Sequence, residues 1–132
     1  MSTSPNGKHK ANLIYAGEMR FGPPYFRLEI DGEPVPNRIF GDRLCWSGDS
    51  RYLATEEWLT TDYQAGPITR VLLIDLEKKQ ASTFRKIEKA FADSFRFQEN
   101  KFIYAKRHYD TGEITEAEVE ISSIGNWESI GL

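Results

Sequence analysis

The 132-residue chain holds one cysteine, two histidines and two methionines. A lone Cys45 cannot close an intramolecular disulfide, and His9 and His108 are too few and too scattered to build a structural zinc site with it. Hydrophobic packing therefore has to hold the fold. Long apolar stretches are missing as well: Val71-Leu72-Leu73-Ile74 is among the longest, against the roughly 20 residues a membrane helix needs. The opening segment MSTSPNGKHK has polar residues where a signal peptide carries its apolar region, so a cytoplasmic location is expected. A surplus of positive charge is also lacking. Seventeen basic residues against twenty acidic ones leave a net charge of -3, which disfavours a direct nucleic-acid partner that must neutralise many phosphates. Phosphate-binding loops, dinucleotide fingerprints, H-E-x-x-H and EF-hand loops do not occur, so no cofactor or metal is expected.

What is present is short apolar and aromatic runs broken by Gly, Pro, Asp and Asn about every ten residues, the punctuation of an antiparallel β chain. The length suits one domain. Residues 1–10 offer nothing apolar to bury beyond the start methionine and are expected to be a mobile tail ahead of a β-rich domain over 11–132. Asn12 to Met19 reads as a first strand. Tyr25 to Ile30 alternates, with Phe26, Leu28 and Ile30 on one face. Asp31-Gly32 suits a type I′ turn that sets Ile30 against Glu33 and Leu28 against Val35, while Pro34 and Pro36 confine the return strand to an edge. Leu44 to Ser47 and Tyr52 to Trp58 read as two strands about the turn Gly48-Asp49-Ser50, and Leu59 to Pro67 as a longer loop. Thr69 to Leu76 carries the run expected of a central strand buried on both faces. Phe84, Ile87 and Phe91 recur at helical spacing and suit at most one short helix. Ile124, Trp127 and Ile130 are placed to clamp an edge of the core.

Near the end, Lys101 to His108 and Glu113 to Ile121 flank Asp110-Thr111-Gly112, which suits a three-residue loop closed by a left-handed glycine. With Tyr109 opposite Glu113, Ile103 faces Val119 and Ala105 faces Ala117 on an apolar side. Tyr104 then faces Glu118, and Lys106 faces Glu116, on the other.

Trp46-Ser47-Gly48-Asp49-Ser50-Arg51-Tyr52-Leu53-Ala54 resembles the W-S-x-D-[SG]-x-x-[LI]-A pattern of WD-repeat-like blades of the prolyl-oligopeptidase type of β-propeller. Arg70-Val71-Leu72-Leu73-Ile74-Asp75-Leu76 is similar to the strand that follows in such blades. A fainter second copy runs from Phe95 to Val119, with Lys101-Phe102-Ile103 about 50 residues after Arg51-Tyr52-Leu53, a spacing that suits a four-stranded meander. A closed propeller needs at least about four blades, more than this chain can supply. The resemblance implies a mainly β fold in which two propeller-blade-like antiparallel meanders pack as a sandwich or half-barrel. It carries no activity with it.

No nucleophilic constellation emerges. Cys45 beside Trp46 reads as a buried small side chain and His108 as a turn-flanking residue. Ser47 to Ser50 lacks the nucleophile-elbow pattern. Glu56 and Glu57 project to opposite faces of a strand, the wrong arrangement for shared acid and base work. The chain is therefore expected not to be an enzyme. Glu116, Glu118 and Glu120 alternate with Ala117, Val119 and Ile121 and form a row of carboxylates, extended at the turn by Glu113 and Asp110. Such a row reads first as the solvated face of an ordinary hairpin, partly neutralised by Lys106, and second as a steering surface for a basic protein. Tyr104 and Phe102 are expected on the same face as aromatic anchors, with Trp58 and Tyr63 nearby. The expected role is a non-catalytic protein-binding module, most concretely an inhibitor or immunity-type protein that occludes a basic toxin or nuclease. The alternative is an accessory or regulatory domain acting through homo-oligomerisation, with a homodimer as the simplest case. A hydrolase with an unfamiliar site ranks third, and a ligand-binding half-barrel with Trp46 and Trp58 at its mouth fourth.

Overall fold

The computed structural model describes residues 1–132, and the short apolar runs become extended strands throughout. In chain order these are β1 (Ser2–Thr3), β2 (Lys10–Glu18), β3 (Pro24–Ile30), β4 (Glu33–Pro34), β5 (Ile39–Trp46), β6 (Tyr52–Trp58) and β7 (Ile68–Asp75). They continue as β8 (Gln80–Thr83), β9 (Ile87–Glu88), β10 (Ala90–Gln98), β11 (Lys101–His108), β12 (Ile114–Glu120) and β13 (Glu128–Ser129). The only helical element is a 3₁₀ turn over Ile121–Ser123. The fold is mainly β, as the sequence leads one to expect, and the strand pairings are antiparallel.

One sheet follows the order β1-β2-β3-β5-β6-β7-β8-β13, with β4 on β3 and β9 on β7, and its two ends do not meet. A second sheet is the meander β10-β11-β12. Strands β3 and β5 share a single residue pair, Phe26 with Phe40. That narrow joint lets the β1–β4 wing close over one face of β5–β8. The first core lies between them and contains Leu28, Ile30, Phe40, Leu53, Leu72 and Ile74. The second core fills the opposite face, where Ala54, Val71 and Leu73 meet Ala90, Ala92, Phe102 and Tyr104 of the small sheet. Strand β7 is thus buried on both faces, and each of its fully buried aliphatic side chains contributes about 1.5–3 kcal/mol.

The turn at Asp31-Gly32 has φ of 53° and 83°, the left-handed pair a type I′ hairpin requires. Ile30 faces Glu33, and Val35 donates its N–H to the Leu28 carbonyl. At the C-terminus, β13 pairs with β8, Ile130 enters the first core and Trp127 packs on the second, so the terminal segment does clamp that edge.

Three expectations are corrected. Residues 1–10 are a folded hairpin in which β1 pairs with β2. Polar groups do there what apolar ones do elsewhere: Ser4 and His9 bond back to each other's backbone, Asn6 donates to Ser50, and Trp46 donates its indole N–H to Ser2. The helical spacing of Phe84, Ile87 and Phe91 falls on extended chain, because Phe84 and Lys89 donate their N–H groups to Val71 and Pro67 and so stay tied to β7 and the segment leading into it. Finally, the β11–β12 hairpin is shifted by one residue. His108, not Tyr109, faces Glu113, with the His108 N–H donating to the Glu113 carbonyl and the Gly112 N–H to that of His108. A one-residue slip exchanges the faces of a strand. Phe102 now faces Val119, Tyr104 faces Ala117, and Lys106 faces Thr115.

Candidate functional site

Strand β12 lies at the outer edge of the small sheet, hydrogen-bonded to β11 on one side only. The His108–Glu113 bond at one end and the Ile121–Asn100 bond at the other fix which residues turn their backbone inward. By the antiparallel alternation, Ile114, Glu116, Glu118 and Glu120 turn N–H and C=O toward the open edge. Their side chains stand on the exposed outer face, and Glu113 and Asp110 are exposed at the turn. The carboxylate row is partly matched from neighbouring strands, Glu116 by Arg96 at 2.9 Å and Glu118 by Lys101 at 2.7 Å, not by Lys106. Phe102 and Tyr104 do not join it. The register shift turns both inward, where Phe102 is wholly buried among Phe84, Phe95, Phe97 and Tyr104. Beside the inner face of β12, a groove of about 260 Å³ runs toward the β8 edge and is lined by Phe84, Tyr104, Ala117, Val119 and Ile124 among others.

A second site lies where β6 passes under β10. Alternation along β6 sends Leu53 toward the first core and Ala54 toward the second. Glu57 therefore points to the first side, and Glu56 and Trp58 to the second, confirming the opposed carboxylates expected from sequence. Their surroundings differ sharply. Glu57 is held by Arg38, whose Nη1 donates to both carboxylate oxygens at 2.9 Å, and by Arg70 Nε at 2.8 Å. Glu56 is 3% exposed and its Oε2 has no hydrogen-bond partner; Trp58 is 4% exposed and its Nε1 has none either. Burial pushes the Glu56 carboxyl from an ordinary value near 4.5 up to about 8, against the pull of Arg43 and with help from Asp42 and Asp93. The group is mostly uncharged at neutral pH.

The strands that flank Glu56 are both irregular there. Between the pairs Phe40–Glu57 and Leu44–Thr55, strand β5 carries Gly41, Asp42 and Arg43 opposite Glu56 alone. Strand β10 shifts register between Asp93 and Arg96. Such bulges re-aim side chains and are common beside binding sites. Together they open a pocket of about 230 Å³ walled by Phe26, Trp58, Tyr63 and Phe91 and rimmed by Arg43 and Arg107. Asp93 bridges the two arginines, 3.0 Å from Arg43 and 3.3 Å from Arg107, and the Arg107 guanidinium lies 4.5 Å from the Phe91 ring centre. Tyr63 meets Trp58 and Tyr109 at ring separations of 6.2 and 5.2 Å, which ties the long loop and the β11–β12 turn to this end of the molecule.

Cys45 sits on β5 opposite Ala54 with its thiol pushed up by burial, while His108 pairs with Ala90 at the hairpin end. Sequence reasoning named Trp58 but set Glu56 aside with Glu57, because carboxylates on opposite faces of a strand cannot share acid and base work. Its signal was a carboxylate in the buried-side register of Ala54 and Trp58, opposite the apolar Val71 on β7. Comparison with protein-family models, with curated proteins and with solved structures finds no match.

Proposed function

We propose that the chain is a non-catalytic protein-binding module that receives a basic partner along β12, most concretely in the manner of an inhibitor or immunity-type protein that occludes a basic toxin or nuclease. The observation that carries the reading is an open edge strand whose outward backbone groups belong to the same residues that bear the carboxylate row. An unpaired edge accepts an added strand, and natural proteins usually guard against this with proline, lysine or a bulge. Strand β12, ITEAEVE, has none of these. Its only guard is negative charge. A second copy pairing antiparallel here would set glutamates near glutamates, which argues against homo-oligomerisation through this edge. A strand of alternating basic and apolar residues meets the opposite situation: its basic side chains lie beside Glu116, Glu118 and Glu120, and its apolar ones enter the groove near Phe84 and Ile124.

The test uses a labelled peptide of alternating lysine and valine, followed by fluorescence anisotropy. Binding is expected to weaken steeply with salt and in the triple variant Glu116→Gln, Glu118→Gln, Glu120→Gln. Glu118→Pro, which removes an outward N–H without breaking the β11 ladder, is expected to weaken it beyond Glu118→Gln. Affinity indifferent to salt and to all these changes would overturn the reading.

A further inference from the structure

Of the three tryptophans, two have their indole N–H satisfied within the fold: Trp46 donates to Ser2 Oγ at 2.8 Å and Trp127 to the Ile124 carbonyl at 3.0 Å. Trp58 has no such partner, and the other buried polar side-chain atom left alone is Glu56 Oε2, two residues away on the same face of the same strand. Both residues line the aromatic pocket, and both reach the space above Gly41, where an added methyl group would collide with Oε1, the other oxygen of the Glu56 carboxyl, and stand 2.9 Å from Trp58 Nε1. Buried polar groups are nearly always paired, so two of them left unpaired on residues that line one cavity mark a place for a ligand.

We infer that this pocket binds a flat, uncharged heterocycle that carries a hydrogen-bond acceptor beside an N–H donor, the lactam or amidine edge of a nucleobase. An uncharged carboxyl offers one O–H and one C=O, which pair with an adjacent acceptor and donor in a single plane. The Trp58 N–H supplies a second donor on the acceptor side of the ligand, a carbonyl in the lactam case. The rings of Phe26, Trp58, Tyr63 and Phe91 suit a planar guest, and the volume admits one ring system and excludes a polynucleotide. The charged groups around Glu56 are accounted for without it: Arg43 and Asp42 on β5, Asp93 on β10 and Arg107 on β11 are joined among themselves, and Tyr63 is the remaining titratable neighbour. The Ala92 backbone N–H is the neutral donor near this carboxyl, and the unpaired Oε2 lacks a neutral hydrogen-bonding partner more than it lacks a counter-ion. This inference stands apart from the β12 reading and does not depend on it.

The experiment titrates uracil and adenine into the ¹⁵N-labelled chain and follows the indole N–H resonances. The Trp58 signal is expected to move while those of Trp46 and Trp127 stay, and 1,3-dimethyluracil, which lacks the donor, is expected to leave all three in place. Binding should weaken about tenfold between pH 7 and pH 9 as Glu56 ionises, and by about tenfold or more in Glu56→Leu. If Glu56→Leu does not fold, Glu56→Gln serves instead: it keeps an acceptor beside a donor and is expected to retain uracil binding with the pH dependence gone. No movement of the Trp58 resonance at millimolar base, or equal movement with dimethyluracil, overturns the inference.

Discussion

The carboxyl group of Glu56 occupies the space that a side chain at Gly41 would need. Glycine is required there for the room it leaves, not for an unusual backbone angle. Gly41→Ala is expected to lower stability by about 1–3 kcal/mol through overpacking. Because the severest of the close contacts is with Glu56 and the other is with Trp58 Nε1, Gly41→Ala combined with Glu56→Ala should cost less than the two changes summed. Urea unfolding of the four members of this cycle measures the coupling.

Glu56 also gives the stability a pH dependence of defined sign. Its folded pKa of about 8 lies above its ordinary value near 4.5, so between those values the folded state holds a proton that the unfolded state has released. Stability from this group is complete below about pH 4.5, falls by up to about 1.4 kcal/mol per pH unit through the window, and levels off above about pH 8. Subtracting the unfolding free energies of Glu56→Gln from those of the parent across pH 5 to 9 isolates that slope. A flat difference would show that the carboxyl is solvated in the folded state.

The neighbouring carboxylate has the opposite surroundings. Glu57 joins Arg38 and Arg70 at 2.8–2.9 Å, and its removal leaves two guanidinium groups facing each other beside the core. Glu57→Gln is expected to cost about 3 kcal/mol, since breaking a buried pair strands its charge. Replacing Glu57, Arg38 and Arg70 together by apolar residues should recover much of that loss. Chemical unfolding of the single and triple variants checks both statements.

The register of the last hairpin can be read from stability alone. With Phe102 wholly buried, Phe102→Ala is expected to cost about 3–5 kcal/mol. Glu118→Gln, at an exposed position, should stay within about 0.5 kcal/mol. Near-neutral Phe102→Ala would instead place that ring on the outer face and restore the register with Tyr109 opposite Glu113.

Much of this architecture was legible in the residues. Asp31-Gly32 specified its turn because few other pairs tolerate two left-handed angles in succession, and Val71 to Ile74 marked the doubly covered strand because no polar position interrupts it. The two faces of Glu56 and Glu57 followed from strand periodicity. The hairpin register did not follow, because Asp110-Thr111-Gly112 suits loops of more than one length, and the difference of one residue moved Phe102 and Tyr104 from the proposed acidic face into the core. The N-terminal hairpin escaped notice for a related reason: what holds it is a set of polar contacts to Asp31, Trp46 and Ser50, partners that become neighbours only after the chain folds.

The sequence by itself determined a β chain, its main turns, its central strand and the carboxylate row on β12, because side-chain alternation and turn chemistry act over a few residues. Only the tertiary structure decided that β12 is an edge, that Arg38 and Arg70 converge on Glu57, and that Glu56 and Trp58 face a pocket without partners. Those outcomes depend on which strands lie opposite one another and where two bulges fall, and contacts between residues far apart in the chain leave no local pattern to read.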